Sequence, residues 1–318
     1  MNYPDTKFIR ALGILLIINS HLDNYYPIKH LATGGAIGNS IFFFLSAFGI
    51  YLSQQKSNRP FSTWIAGRIS RIYPSLWIVL FFILMPLMIM TGKLTANNAT
   101  TFIGYFFNPP YWFIQALLVY YLLSYSLLKD TQKNKVIFFL GILGILYFIS
   151  YFTWVDLTKW SVEKAPFVYI QYFMVFIFGI FIAMKSPEVS YTGPHNYLIL
   201  ILCVALVYAH KFLMTKGLYS EFQFLQQTAM YGIVYYLLKV SRSPIVLTKI
   251  MQSQNISAIV NFLSNHTLEI YIVHETINHP MVKLQMPFPL NVITFILLTF
   301  ILSSIVKKLA DTMRRKIN

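Results

Sequence analysis

The chain has 318 residues, of which 57% are apolar and 11% charged, and its mean hydropathy is +0.59. That length would suit two soluble domains, but the composition excludes them, because the apolar residues come in blocks able to cross a hydrocarbon core of about 30 Å. The formal charge of +15 does not indicate nucleic acid, since the basic residues sit in the joints between apolar blocks and form no patch interleaved with aromatics.

In chain order, the hydropathy pattern predicts spans at Phe8 to Leu22, Ala36 to Gln54, Pro74 to Thr91, Tyr111 to Leu128 and Val136 to Phe152. Five more follow at Phe167 to Met184, Asn196 to Leu213, Phe222 to Val240, Ile259 to Ile277 and Phe288 to Val306. The expected fold is therefore an all-α integral membrane bundle of about ten transmembrane helices. The first span has a basic start and an apolar run like a secretory signal, but Asn19, Ser20 and His21 follow with no small-residue cleavage site, so it reads as a retained helix. Ser57 to Tyr73, with Arg59, Arg68 and Arg71, reads as a helix lying at the membrane interface, and Pro74 as the opening of the next span. With the N-terminus inside, 18 of the 25 Lys and Arg residues fall in cytoplasmic segments, which the positive-inside rule favours and which puts both termini in the cytoplasm. Tyr and Phe, numbering 22 and 28, suit interfacial and lipid-facing positions. The single Cys203 lies in an apolar run, so neither a disulfide framework nor a thiol metal site is expected.

Polar side chains inside spans are costly and normally face the bundle interior, which makes them functional candidates. Arg10 and His21 are eleven residues apart, about 1100° of helical rotation, so they align to about 20° on one face and about 16 Å apart along it. Span two carries Gly38-Asn39-Ser40-Ile41-Phe42-Phe43-Phe44-Leu45-Ser46-Ala47-Phe48, whose small residues permit close helix approach. Arg68 and Arg71, one turn apart, offer two guanidinium forks suited to phosphates. Span nine holds Asn265, His266, Glu269, His274 and Glu275, too polar to face lipid. As intramembrane groups, Arg, His and Glu also suit a multi-pass transporter or flippase for a glycan intermediate or small anion, although no internal repeat supports one.

These groups, together with Arg68-x-x-Arg71-Ile-Tyr-Pro74, Trp112-Phe-Ile114 and Ile270-Tyr-Ile-Val-His274, occur in an order that resembles the membrane acyltransferase-3 family of bacterial O-acyltransferases. The resemblance runs from residue 10 to about residue 280. It departs from the family where Ser40 replaces a frequent acidic residue and Ala47 a glycine, so no acid or base role is assigned to Ser40. It implies a single transmembrane acyltransferase domain over residues 1–318, with no appended soluble domain, in the bacterial cytoplasmic membrane. The implied reaction moves an acyl group, usually acetyl, from cytoplasmic acyl-CoA to a hydroxyl of a surface polysaccharide or lipid-linked precursor. An accessory acyl-transfer protein is a further implied partner, while no permanently bound cofactor and no metal is expected. His21, with its near-neutral imidazole, is the expected base, and Arg10 its companion. Arg10, Arg68, Arg71 and Ser46 are expected at the acyl-CoA, and Trp112, Gln115, Glu269 and His274 on the acceptor side.

Overall fold

The computed structural model describes residues 4–95, 99–129 and 133–317; the side chain of Lys129, one of the basic residues expected in a cytoplasmic segment, lies outside this set. The described residues are helical and contain no strand. In chain order the helices are α1 (Pro4–Ser20), α2 (Gly35–Ser57), α3 (Phe61–Val79), α4 (Met85–Met90), α5 (Ala99–Gly104), α6 (Trp112–Lys129) and α7 (Lys133–Trp154). They continue with α8 (Phe167–Met184), α9 (His195–Thr215), α10 (Phe224–Ser241), α11 (Gln254–Asn265), α12 (Thr267–Val282) and α13 (Leu290–Ile317). Among the described residues, six stretches are long and apolar enough to cross a membrane: Lys29–Ser57, Phe61–Met90, Lys133–Trp154, Phe167–Met184, His195–Thr215 and Leu290–Lys316. Trp112–Leu128 is apolar but shorter. Helices α1, α10 and α12 stand where spans were expected and do not meet that standard: α1 and α12, of 17 and 16 residues, are short and carry charged side chains, and amides and Lys239 interrupt the apolar run of α10. The chain is a multi-pass membrane protein.

Two expected boundaries are corrected. The stretch Phe61–Met90 is one continuous helical run, with π-helical turns at Leu80–Leu84, so Pro74 lies inside α3 and not at its start. Proline lacks the N–H that would close a bond to the carbonyl four residues back. The carbonyl so released, that of Ser70, instead accepts from Arg314 Nε at 3.3 Å. The expected ninth span is two helices broken at His266, whose backbone leaves the helical region at φ −110° and ψ 12°.

The chain divides into two compact units. Unit 1 comprises Met1–Gly13, Ala36–Asn58 and Leu123–Asn261. Within it α2 and α8 pack backbone to backbone, since a Cβ on Gly179 would stand 2.4 Å from the Phe44 carbonyl oxygen. Helices α7 and α9 leave large apolar side chains such as Phe138, Phe152, Ile201 and Leu202 uncovered, as a bilayer-facing surface requires. Loop 155–166 is held by amides. Gln223 accepts from the Ser161 amide at 2.8 Å and donates to the carbonyls of Asp156 and Lys159 at 2.8 and 3.0 Å. Gln227 accepts from Tyr147 Oη at 2.6 Å and donates to the Val162 carbonyl at 3.1 Å, above a cluster of Tyr147, Tyr151, Val155, Val162 and Phe167.

Unit 2 comprises Ile14–Gly35, Arg59–Leu122 and Phe262–Asn318. Its α13 buries Phe295, Thr299, Ser303, Val306 and Ala310 on one face. Ile293, Leu297, Ile301, Ile305 and Leu309, spaced four apart, form an exposed apolar stripe on the other, the pattern of a helix packed on one side and in lipid on the other.

Candidate active site

His21 stands one residue beyond the end of α1, in a turn whose amide donates to the Ile18 carbonyl at 3.0 Å. The expected first span runs helically through His21 to Leu22, whereas the helix ends at Ser20. Ser20 Oγ donates to the Ile17 carbonyl at 2.7 Å, and the Asn19 side-chain amide donates to the carbonyls of Leu31 and Thr33, each at 2.9 Å. Its oxygen accepts from Tyr26 Oη at 2.8 Å. The loop closes on Gly34, whose φ of +103° and whose contact with Leu16, 2.8 Å from a built Cβ, admit only glycine. Two further bonds tie this loop to later helices: Tyr25 Oη donates to the Asn278 carbonyl at 3.1 Å, and Asn291 Nδ2 to the Tyr25 carbonyl at 2.8 Å.

These bonds bring His21 against α12. Its Nε2 lies 3.2 Å from Glu275 Oε1, and both side chains keep partial exposure, 34% and 24%. The His21 and His274 rings meet edge to face with centroids 5.1 Å apart. His274 is fully buried, and its Nδ1 donates to the Ile270 carbonyl at 3.0 Å. That bond fixes the neutral tautomer with its lone pair on Nε2, which has no hydrogen-bond partner among the described residues and lies 3.9 Å from Glu275 Oε1. A His21 tautomer with Nε2–H toward Glu275 has its lone pair on Nδ1. Ligand atoms of His21, His274 and Glu275 all lie within 4.8 Å of one another, a spacing a small divalent cation would have to tighten to be held.

The wall beside this cluster comes from α6 and the residue before it. Tyr111 Oη lies 2.6 Å from Thr276 Oγ1, and Phe113 packs on Tyr271 with ring centroids 5.3 Å apart. Tyr271 in turn meets His274 at 5.5 Å. Trp112 is half-buried beside Phe113. The Gln115 NH2 group is committed to Asn108 Oδ1 at 3.1 Å and the Pro109 carbonyl at 2.8 Å, which leaves its oxygen for another partner.

Glu269 is six residues from Glu275 and belongs to a different cluster. It is buried and accepts from Ser75 Oγ at 2.7 Å. Arg314 reaches in from α13, placing Nη2 3.6 Å from Glu269 and donating to Ser75 Oγ at 2.9 Å and to the Arg71 carbonyl at 2.8 Å. Its Nη1 donates to Asp311 at 2.6 Å. One guanidinium thus joins α3, α12 and α13, where planar multi-donor geometry suits Arg and not Lys.

Of the arginines expected at the donor, Arg68 is buried with its guanidinium 5.6 Å from the Trp64 ring centroid, and Arg71 is exposed at the surface of α3. Both belong to unit 2, whereas Arg10, half-buried on α1, and Ser46, half-buried on α2, belong to unit 1. The structure therefore joins His21 with His274, and separately surrounds Glu269 with Ser75 and Arg314. In the sequence Glu275 stands out only as too polar for lipid. Its signal was adjacency to His274, and its partnership with His21 depends on a loop fold no periodicity encodes. Arg314 carried no signal beyond its place in a basic helix end.

A multi-pass helical protein that holds a histidine against a carboxylate beside a buried second imidazole has the equipment of a group-transfer enzyme working at a membrane. A family model described as an acyltransferase domain matches residues 3–308, and the chain belongs to this acyltransferase-3 family. No curated protein and no solved structure matches it.

Proposed function

We propose that the protein is an O-acyltransferase of a bacterial cytoplasmic membrane, moving an acyl group, acetyl by family resemblance, from cytoplasmic acyl-CoA to a hydroxyl of a surface polysaccharide or its lipid-linked precursor. The observation that carries this reading is the His21 to Glu275 contact of 3.2 Å with both groups still accessible. His21 Nδ1 takes the proton of the acceptor hydroxyl as its oxygen bonds to the thioester carbonyl carbon. Glu275 holds the imidazole in the tautomer that leaves Nδ1 free, and it stabilises the imidazolium that forms. When the carbon–sulfur bond breaks, the thiolate recovers that proton from His21, giving the ester and the free thiol.

The other groups divide by what their bonds leave available. Arg71 is the exposed fork offered to donor phosphates, while Arg68, packed on Trp64, supports it from within α3. Trp112 and the Gln115 oxygen face the acceptor, whose sugar hydroxyls they suit by stacking and hydrogen bonding. Buried His274 keeps the His21 ring in place. Glu269 organises the helices and takes no part in proton transfer.

The test is acyl transfer by the purified protein in nanodiscs, followed by free thiol release and by ester signals on the acceptor. His21→Ala is expected to lose about 10² to 10⁴ in kcat, the usual contribution of a general base. Undiminished transfer by that variant would remove His21 from the chemistry. Acceptor movement across the membrane without thiol release by the wild type would replace the enzyme with a carrier.

A further inference from the structure

The basic end of α13 forms a pocket that the His21 cluster does not use. Its volume is about 410 Å³, and Lys307, Lys308, Asp311, Thr312 and Arg315 of α13 line it together with His266. Three cations thus face one carboxylate. Asp311 is already engaged by Lys307 at 3.3 Å and by Arg314 at 2.6 Å. Lys308 and Arg315 are therefore positive charges in excess of the local acidic ones. His266 is fixed at the edge: its Nδ1 donates to the Phe262 carbonyl at 2.8 Å and its ring stacks on Phe262 with centroids 4.4 Å apart, so Nε2 is its uncommitted nitrogen.

The position fits an anion at a membrane surface. The apolar stripe of α13 ends at Leu309, where the basic residues begin. Arg314, next to Arg315, donates to the carbonyls of Ser70 and Arg71, so exposed Arg71 and the pocket occupy the same end of unit 2. The Thr312 hydroxyl is spent on the Lys308 carbonyl at 3.0 Å, so the ligating charge comes from Lys308 and Arg315, and two excess cations match a phosphomonoester dianion better than a carboxylate, which needs only one fork.

We propose that this pocket binds a phosphomonoester and, resting on the acyl-CoA reading above, that the ligand is the 3′-phosphate of the donor's adenosine, with Arg71 left for the diphosphate. The same dianionic chemistry occurs in the headgroup of phosphatidic acid, and the experiment separates the two sources. The KM values for acetyl-CoA and acetyl-dephospho-CoA are measured with full-length protein in zwitterionic nanodiscs, for the wild type and for Lys308→Gln/Arg315→Gln. The wild type is expected to show a KM about tenfold higher for the dephosphorylated donor at unchanged kcat. The double variant raises the KM for acetyl-CoA by a similar factor and leaves that for acetyl-dephospho-CoA alone, so the preference collapses. Equal use of both donors by the wild type, or a preference that survives in the variant, overturns the proposal. So does a pocket that serves lipid: phosphatidic acid would then raise the melting temperature of the wild type alone, with no donor preference in either protein. Should neither donor be turned over, the acyl-CoA reading fails, and calorimetry with adenosine 3′,5′-bisphosphate against adenosine 5′-phosphate still decides the pocket. Tighter binding of the bisphosphate, lost in the double variant, supports the phosphomonoester site, and equal binding sinks it.

Discussion

Loop 155–166 of unit 1 and the His21 loop of unit 2 are both clamped by amide side chains, yet they end differently. In unit 1, Gln223 and Gln227 use their donors and acceptors on backbone groups and a tyrosine, and the result is a closed structure. In unit 2, Asn19 performs the same service for residues 26–33, but the clamp presents an imidazole to a carboxylate with hydrogen-bonding capacity left over. Buried polar groups whose capacity is spent hold the fold, and those with capacity in reserve are where chemistry can occur.

The comparison can be broken most severely at His21. His21→Ala should lower kcat by at least about a hundredfold, roughly 3 kcal/mol in the barrier, while its melting temperature stays near that of the wild type. Second in size is the buried ionic cluster. Arg314→Leu leaves Glu269 without its cation and the Ser70 carbonyl, freed by Pro74, without a donor, which should cost about 2 to 4 kcal/mol in stability, read from denaturant unfolding in detergent. Gln223→Leu strips loop 155–166 of its clamp and should cost about 2 to 3 kcal/mol with kcat unchanged in the protein that remains folded.

The smallest effect is at Glu163, a residue of the same loop whose carboxyl pKa is pushed up by burial, against the opposing pull of Lys211 and a hydrogen bond from Gln226. A raised folded-state pKa means that the group favours folding when protonated, and that this contribution disappears as pH rises through the folded value. Glu163→Gln should therefore be more stable than the wild type near pH 8, by under about 1 kcal/mol, and the gap should close towards about pH 4, below the ordinary glutamate value. A stability difference that grows on acidification would reverse the sign and contradict the burial.

Much of the helical layout was legible because apolar blocks must span lipid, and α2, α6, α7, α8 and α9 lie close to where hydropathy put them, while α13 runs past its expected end at Val306 to Ile317. His21 was legible for a related reason: a polar residue at the end of an apolar run demands an explanation. Its partner was not. Glu269 and Glu275 are equally conspicuous in sequence, and six residues rotate a helix by about 600°, so one carboxylate turns to His21 and the other to Arg314. Which goes where depends on the His21 loop and on α13, elements distant in sequence. The break at His266 and the passage of α3 through Pro74 were hidden likewise, since Arg314 supplies from α13 a donor that the proline cannot.

The most direct measurement is a double-mutant cycle in kcat for His21→Ala and Glu275→Gln, with acyl transfer followed in nanodiscs. If Glu275 acts through the His21 imidazole, the double variant loses no more than His21→Ala alone. Losses that multiply would show two groups acting independently, and would contradict a His21–Glu275 pair as the centre of the chemistry.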